Sequence, residues 1–281
     1  MGELPHASQA GLERLPLSCF IIARDEADRI GATIMSVRDW AGEVVVVDSG
    51  SRDGTVAVAE SLGARVLSHP WQGYGPQKRF AEECCRFDWL LNLDADEVAS
   101  AALRDEIIGL FRGGPPALAA YRLRVADIYP GRERPRPFAY SYDIVRLYDR
   151  RRARYSPSLV HDRVETGGQR LGRLRGRVLH HSVRSLDHQR RKLESYFALQ
   201  AREKAKPRWQ LYARLPVEYP VAFLQYYLLR RHLFGGRFGL ALSHVHASAR
   251  TRRLIALSRG GLPSEPDADE RRKRAAEGGS G

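Results

Sequence analysis

VVVVDSGSRDGT (Val44–Thr55) is the stretch that decides the fold. Its β-branched run, from Glu43 to Val47, reads as a buried strand. Asp48–Gly54 is a turn rich in Ser, Gly and Asp, and Thr55–Leu62 reads as a helix. A strand that ends in a carboxylate just before a glycine turn presents Asp48 at the carboxyl edge of a sheet. There it can accept hydrogen bonds from a nucleotide's base or ribose. The competing reading is that Asp48 or Ser51 caps the next helix.

Working outward, the same alternation repeats. Cys19–Ala23 is a short apolar strand, and Ile30, Ile34, Val37 and Ala41 fall at helical spacing. Ala64–Leu67 reads as a strand, Gln77–Cys85 as a helix and Trp89–Leu93 as a strand. Strands alternating with helices predict an α/β fold with a parallel sheet. Right-handed crossovers place any ligand along the edge where the strands end.

NLDADE (Asn92–Glu97) follows the last of these strands directly. In an extended chain Asp94 and Asp96 point the same way, because strand side chains alternate with period two. Two such carboxylates favour a hard divalent cation such as Mg²⁺ or Mn²⁺. A solvated turn is the competing reading. A P-loop signature is absent, and so is a Gly-x-Gly-x-x-Gly after the first strand. Gly73-Tyr74-Gly75, with Lys78 and Arg79 behind it, either brings two cations near a phosphate or is an ordinary loop.

Beyond Ala101–Phe111 and a Gly-Gly-Pro-Pro loop, Ala119–Arg124 reads as another strand. Pro130–Pro157, rich in Arg, Tyr and Pro, predicts irregular loops with short strands. Leu186–Lys206 and most of Leu211–Leu257 read as helical. Residues 1–16 read as a mobile leader and residues 263–281 as a disordered tail.

The 281 residues are 43% hydrophobic, enough for a substantial core. Their formal charge of +13 is unevenly spread. Residues 1–100 carry 9 basic and 16 acidic side chains, whereas residues 101–281 carry 37 and 17. An acidic domain joined to a basic face fits this better than a nucleic-acid coat does. Cys19, Cys84 and Cys85 make neither a disulfide framework nor a metal motif, which fits a reducing cytoplasm. No secretory signal is visible, and the most apolar stretch, Leu215–Leu229, is too short and broken to span a bilayer.

CFIIARDEADRI (Cys19–Ile30), VVVVDSGSRDGT, WQGYGPQKRF (Trp71–Phe80) and DWLLNLDADE (Asp88–Glu97), in this order and spacing, resemble family 2 glycosyltransferases of the GT-A fold. The similarity is closer to bacterial lipopolysaccharide-core enzymes that resemble β-1,4-glucosyltransferases. It runs from about Leu17 to about Leu257. The resemblance implies a mostly parallel sheet flanked by helices, spanning 17–185, and a basic helical extension over 186–262. It implies a nucleotide-sugar donor, a divalent cation (Mn or Mg) and inversion at the anomeric carbon.

Carried over by position, Ala23, Arg24 and Glu26 meet the nucleotide, Asp48 contacts uracil or ribose, and Lys78 joins the donor site. Asp94 lies near ribose and metal, Asp96 is the metal ligand, and His180 in VLHHS (Val178–Ser182) joins it, with His181 as the fallback. SLVHDRV (Ser158–Val164) resembles the family's Val-His-Glu segment, which makes Asp162 the first candidate for the catalytic base and Glu97 its rival. Two positions depart from the pattern. Ser49 stands where a second aspartate is usual, and Ala-Arg-Asp-Glu replaces Thr-Tyr-Asn-Glu, leaving no aromatic for the base.

Aromatics and leucines from Leu215 to Leu229, followed by Arg230, Arg231 and Arg237, suit a segment lying in a headgroup zone, and these arginines are the candidates for acceptor or membrane contact. A helix packed in the core or in a dimer is the competing reading. The expected protein is thus a cytoplasmic, peripheral inner-membrane glycosyltransferase. It moves a hexose, with UDP-glucose as the leading donor, to a lipopolysaccharide-core or other anionic glycolipid, without nucleic acid. Alternatives are another donor sugar, a polyprenyl-phosphate acceptor, or a non-catalytic nucleic-acid or anion binder.

Overall fold

The computed structural model describes residues 14–158, 163–200 and 208–258. The chain forms two compact units, one from Met1–Ile128 and Ser141–Ser182, the other from Tyr129–Tyr140 and Val183–Gly281.

The first unit is built on strands β1 (Leu15–Ala23), β2 (Ala41–Asp48), β3 (Arg65–Ser68), β4 (Trp89–Asp94), β5 (Glu97–Ala99), β6 (Ala120–Asp127), β7 (Ser141–Asp149) and β10 (Gly172–His180). They make one sheet in the order β3-β2-β1-β4-β7-β6-β10-β5. The parallel pairs β2–β3, β1–β2, β1–β4 and β6–β10 give the mostly parallel character expected, while β7 and β5 run against their neighbours. Strands β8 (Arg154–Tyr155) and β9 (Val164–Glu165) form a separate small ladder.

Both faces of the sheet are covered, which is why its central strands read as continuous apolar runs. Leu17, Cys19 and Ile21 of β1 pack with helices α1 (Ile30–Met35), α2 (Thr55–Ser61) and α4 (Ala101–Phe111) through Ile30, Ile34, Ala59, Leu103 and Ile107. On the opposite face, Phe20 and Leu90 pack with Ala81 and Cys85, in and just after α3 (Tyr74–Cys84), and with Tyr148 and Tyr155.

One expectation fails here. Pro130–Pro157 was expected to hold only short strands among irregular loops, yet β7 is nine residues long and lies between β4 and β6. Only Ser141 and Tyr142 at its start are exposed, the next three residues are half-buried, and its buried end contains Arg146, only 3% exposed. A buried guanidinium in place of an apolar side chain hides the strand from a hydrophobic pattern. Gly75 explains a second local feature. A Cβ there would stand 2.3 Å from the Ser158 carbonyl oxygen, and the Gly75 N–H donates to that oxygen at 3.1 Å. The glycine lets the chain after β8 lie directly on the start of α3.

In the second unit, α5 (Leu186–Gln200), α6 (Arg208–Leu224) and α7 (Gly236–Ser258) follow one another, with a π turn over Gln225–Leu229 and a 3-10 turn over His232–Gly235. Tyr129–Tyr140, expected within the catalytic domain, folds with these helices. The Arg136 guanidinium lies 4.4 Å from the Tyr129 ring centroid and donates to the Arg230 carbonyl at 3.1 Å. The Tyr129 hydroxyl bonds the His232 ring. Among the described residues, no helix is long and apolar enough to cross a membrane.

Candidate active site

Register brings the predicted residues of the first unit to the carboxyl edge in two rows. Ala23 pairs with Asp48 across β1–β2, and Ile22 pairs with Asp94 across β1–β4. On the other side of the sheet, His180 pairs with Asp127 of β6 and with Glu97 of β5.

The loops after β1 and β2 are sewn together. The backbone N–H of Asp25 donates to Ser51 Oγ, Glu26 N–H to Thr55 Oγ1, Ala27 N–H to Asp53 Oδ2, and Arg52 N–H to Asp25 Oδ1, all within 2.8–3.1 Å. Asp48 supports this rim from beneath. It accepts from the N–H groups of Gly50 and Ser51, each at 2.9 Å, and from the Ser51 hydroxyl. It does not cap α2; Asp53 accepts the Thr55 N–H at 3.0 Å instead. Arg24 stands exposed at the rim, while Glu26 is bonded by Arg29 at 2.8 Å.

Asp94 and Asp96 are held by different cations. Asp94 meets Arg146 at 2.8 Å and Lys78 at 3.1 Å. Asp96 meets Arg29 at 3.1 Å and His180 at 3.5 Å. The chain turns at Ala95–Asp96, between β4 and β5, so the extended geometry expected of the two aspartates does not apply. Burial opposes the charge on Asp94, but Arg146 and Lys78 outweigh it and hold its carboxyl far below the usual range. Asp96 is also lowered, by His180 and Arg29 against the same burial penalty.

Lys78, expected to reach toward donor phosphate, is wholly buried and spends its ammonium on Asp94. Glu97, the rival base, is 1% exposed. It accepts the Asp94 N–H at 2.9 Å and Arg146 at 3.2 Å, so it brackets Asp94 from behind. Burial and the neighbouring Asp94 push its carboxyl up, against the pull of Arg146. Arg146 also bonds the Asn92 side chain, which accepts the Tyr155 hydroxyl at 2.6 Å. Arg146 and Tyr155 were not singled out in the sequence. Only the pairing of Leu91 with Leu147 reveals that Arg146 stands beside Asn92.

Among the described residues, no three His, Cys, Asp or Glu side chains form a group able to hold a metal by themselves. Two donors do converge. The His180 ring has one nitrogen 3.1 Å from Asp127 Oδ1 and the other 3.5 Å from Asp96 Oδ1. A carboxylate behind a histidine whose far nitrogen faces a second carboxylate is a usual arrangement for a metal-binding histidine. These hard and borderline donors would fit a divalent cation such as Mn²⁺ or Mg²⁺. Burial opposes protonation of His180, but Asp127 and Asp96 outweigh it and raise its pKa to about 10, so a cation bound here would take the place of the proton on the nitrogen that faces Asp96. The His181 N–H donates to the Asp96 carbonyl at 2.8 Å, and Arg29 donates to the His181 carbonyl at 3.0 Å, which locks this corner.

Asp162, with His161 beside it, lies outside the described residues. Arg230, Arg231 and Arg237 belong to the second unit.

The family model for glycosyl transferase family 2 matches residues 18–173. An uncharacterized glycosyltransferase of Rickettsia prowazekii (strain Madrid E), RP128, is 36% identical over 261 residues, which cover 89% of each chain. The lipopolysaccharide core biosynthesis glycosyltransferase LpsC of Rhizobium meliloti (strain 1021) is 34% identical over 236 residues, 77% of this chain and 82% of its own. Glucosyl-3-phosphoglycerate synthase from Mycobacterium tuberculosis, in a crystal structure with Mn²⁺, uridine-diphosphate and glucosyl-3-phosphoglycerate, overlaps 41% of this chain and 44% of its own at 24% identity and a TM-score of 0.32.

Proposed function

The chain belongs to glycosyl transferase family 2, and from that premise we propose that it is an inverting, metal-dependent hexosyltransferase acting at the inner membrane surface. Its donor is a nucleotide sugar, with UDP-glucose the first choice, and its acceptor a lipopolysaccharide-core or related anionic glycolipid. The observation that carries the metal part is the Asp96–His180–Asp127 chain at the carboxyl edge. The name of the LpsC relative supports the acceptor class.

In this reading the stitched rim of Arg24–Glu26 and Ser49–Thr55 receives the nucleoside. Asp48 keeps that rim in shape through three internal hydrogen bonds. Asp96 and His180 would hold a divalent cation, which supplies positive charge opposite the departing nucleoside diphosphate. Asp94, fixed by Lys78, Arg146 and Glu97, faces the ribose side of the same edge. The acceptor hydroxyl attacks the anomeric carbon from the side opposite the leaving group. Asp162, proposed from its segment's resemblance to the family's Val-His-Glu, takes the hydroxyl proton. Single displacement needs no enzyme nucleophile, and Glu97 is a positioning residue for Asp94.

The test incubates purified protein with Mn²⁺ and a panel of nucleotide sugars, and follows slow donor hydrolysis. Wild type should turn over one donor, Asp96→Ala should lose that turnover, and Asp162→Asn should lower acceptor transfer by about 10²–10⁴-fold. Metal-independent turnover, or full activity in Asp96→Ala, would overturn the proposal.

A further inference from the structure

The second unit carries an apolar face that the catalytic chemistry does not use. Val217, Val221, Leu224 and Leu228 recur at intervals of four, three and four residues, so they line one side of α6 and the turn after it. Each is between 49% and 55% exposed. The stripe continues to exposed Leu229, Leu233 and Phe234, where Phe234 meets the exposed Phe138 ring at 5.1 Å. Exposed apolar area of this continuity marks an interaction surface.

Charge decides what it meets. Residues 208–258 contain eight arginines and a single acidic residue, Glu218. Glu218 is 6% exposed and is neutralised inside the unit by Arg214 at 2.8 Å and Arg250 at 2.9 Å. The segment therefore offers no exposed carboxylate. At the end of the stripe, Arg231 and Arg237 are exposed, and Arg230 lies 4.0 Å over the Tyr140 ring. Two copies meeting through this face would set its arginines against one another, with no exposed carboxylate of residues 208–258 to pair them. An anionic leaflet complements it: side chains enter the acyl boundary while guanidinium groups stay among the headgroups.

We propose that this stripe and its arginine end form the surface by which the protein lies on an anionic bilayer. The proposal rests on the membrane-held acceptor inferred above, and it names the contact. Among the described residues no helix is long and apolar enough to cross a bilayer, and Pro216 and Pro220 lie inside α6, so the proposed contact is interfacial.

The test floats the full chain on vesicles of phosphatidylcholine alone, or of phosphatidylcholine with phosphatidylglycerol, at low and high salt. Binding should require phosphatidylglycerol and weaken with salt. Arg230→Glu with Arg231→Glu should lower it at least ten-fold, since each basic residue near an anionic surface contributes about five-fold. Leu224→Asp with Leu228→Asp should lower it by a similar factor. The two leucine changes lie at exposed positions and should leave circular dichroism unaltered, with donor hydrolysis without vesicles at the wild-type rate. Normal hydrolysis without flotation would overturn this surface alone, whereas flotation without hydrolysis would overturn the transferase reading and leave the surface standing. A wild-type dimer dispersed by Leu224→Asp with Leu228→Asp, with no vesicle binding, would make the stripe a self-interface and overturn the proposal.

Discussion

Replacing Arg146 by Met should be the most damaging single change in the first unit outside its apolar core. The guanidinium is 3% exposed and holds Asp94 at 2.8 Å and Glu97 at 3.2 Å, while also bonding Asn92. Removing one partner of a buried pair strands the other, at a cost of about 3–5 kcal/mol. Lys78 still faces Asp94, so the stranded group is chiefly Glu97, whose carboxyl burial already pushes up. Out of a total stability of roughly 5–15 kcal/mol, such a loss should move the urea midpoint far to the left. Arg146→Lys should recover part of it, because charge returns without the two-pronged fork. The deciding variant is Arg146→Met with Glu97→Gln, which removes the stranded charge. It should be more stable than Arg146→Met by about 0.5–3 kcal/mol. Urea unfolding followed by tryptophan fluorescence measures all four proteins. An Arg146→Met protein within about 1 kcal/mol of wild type, or no recovery in the double variant, would refute the account of Arg146 as the centre of this cluster.

Two other changes test the frame around the site. Burial opposes ionisation of Glu43, but the Arg86 N–H, the Ser18 hydroxyl and Arg65 hold its carboxyl below the ordinary value. A lowered folded-state value stabilises the protein above the unfolded pKa of about 4.3, and that contribution is lost as pH falls through the folded one. Glu43→Gln should therefore be less stable than wild type at neutral pH, with the gap in urea midpoint closing in acid; a constant gap would sink the assignment. Gly75→Ala should cost about 1–3 kcal/mol by overpacking, since its Cβ meets two backbone oxygens within 2.4 Å. An unchanged thermal midpoint would show that the Ser156–Ser158 segment does not rest on α3 as described.

Much of the first unit was legible because its signals are local. Buried parallel strands produce apolar runs, and helices between them produce a period of 3.6, so β1, β2 and β4 stand where Cys19–Ala23, Glu43–Val47 and Trp89–Leu93 predict them. β7 was not legible, because it starts exposed and half-buried and its buried end includes a charge whose partners lie about fifty residues away in sequence.

The chain alone determined the parallel strands β1 to β4, the edge at which Asp48 and Asp94 end their strands, and the ordered motifs that mark a glycosyltransferase. Tertiary structure decided what each charge faces. Lys78 turned inward to Asp94, Glu97 became a bracket, Arg29 and Arg146 emerged as the cations that fix the two aspartates, and Glu218, the lone acid of residues 208–258, was found neutralised between two arginines. The physical reason is range. Periodicity reports the face on which a side chain lies, whereas an ion pair depends on strand register and burial that separate parts of the chain create only when they meet.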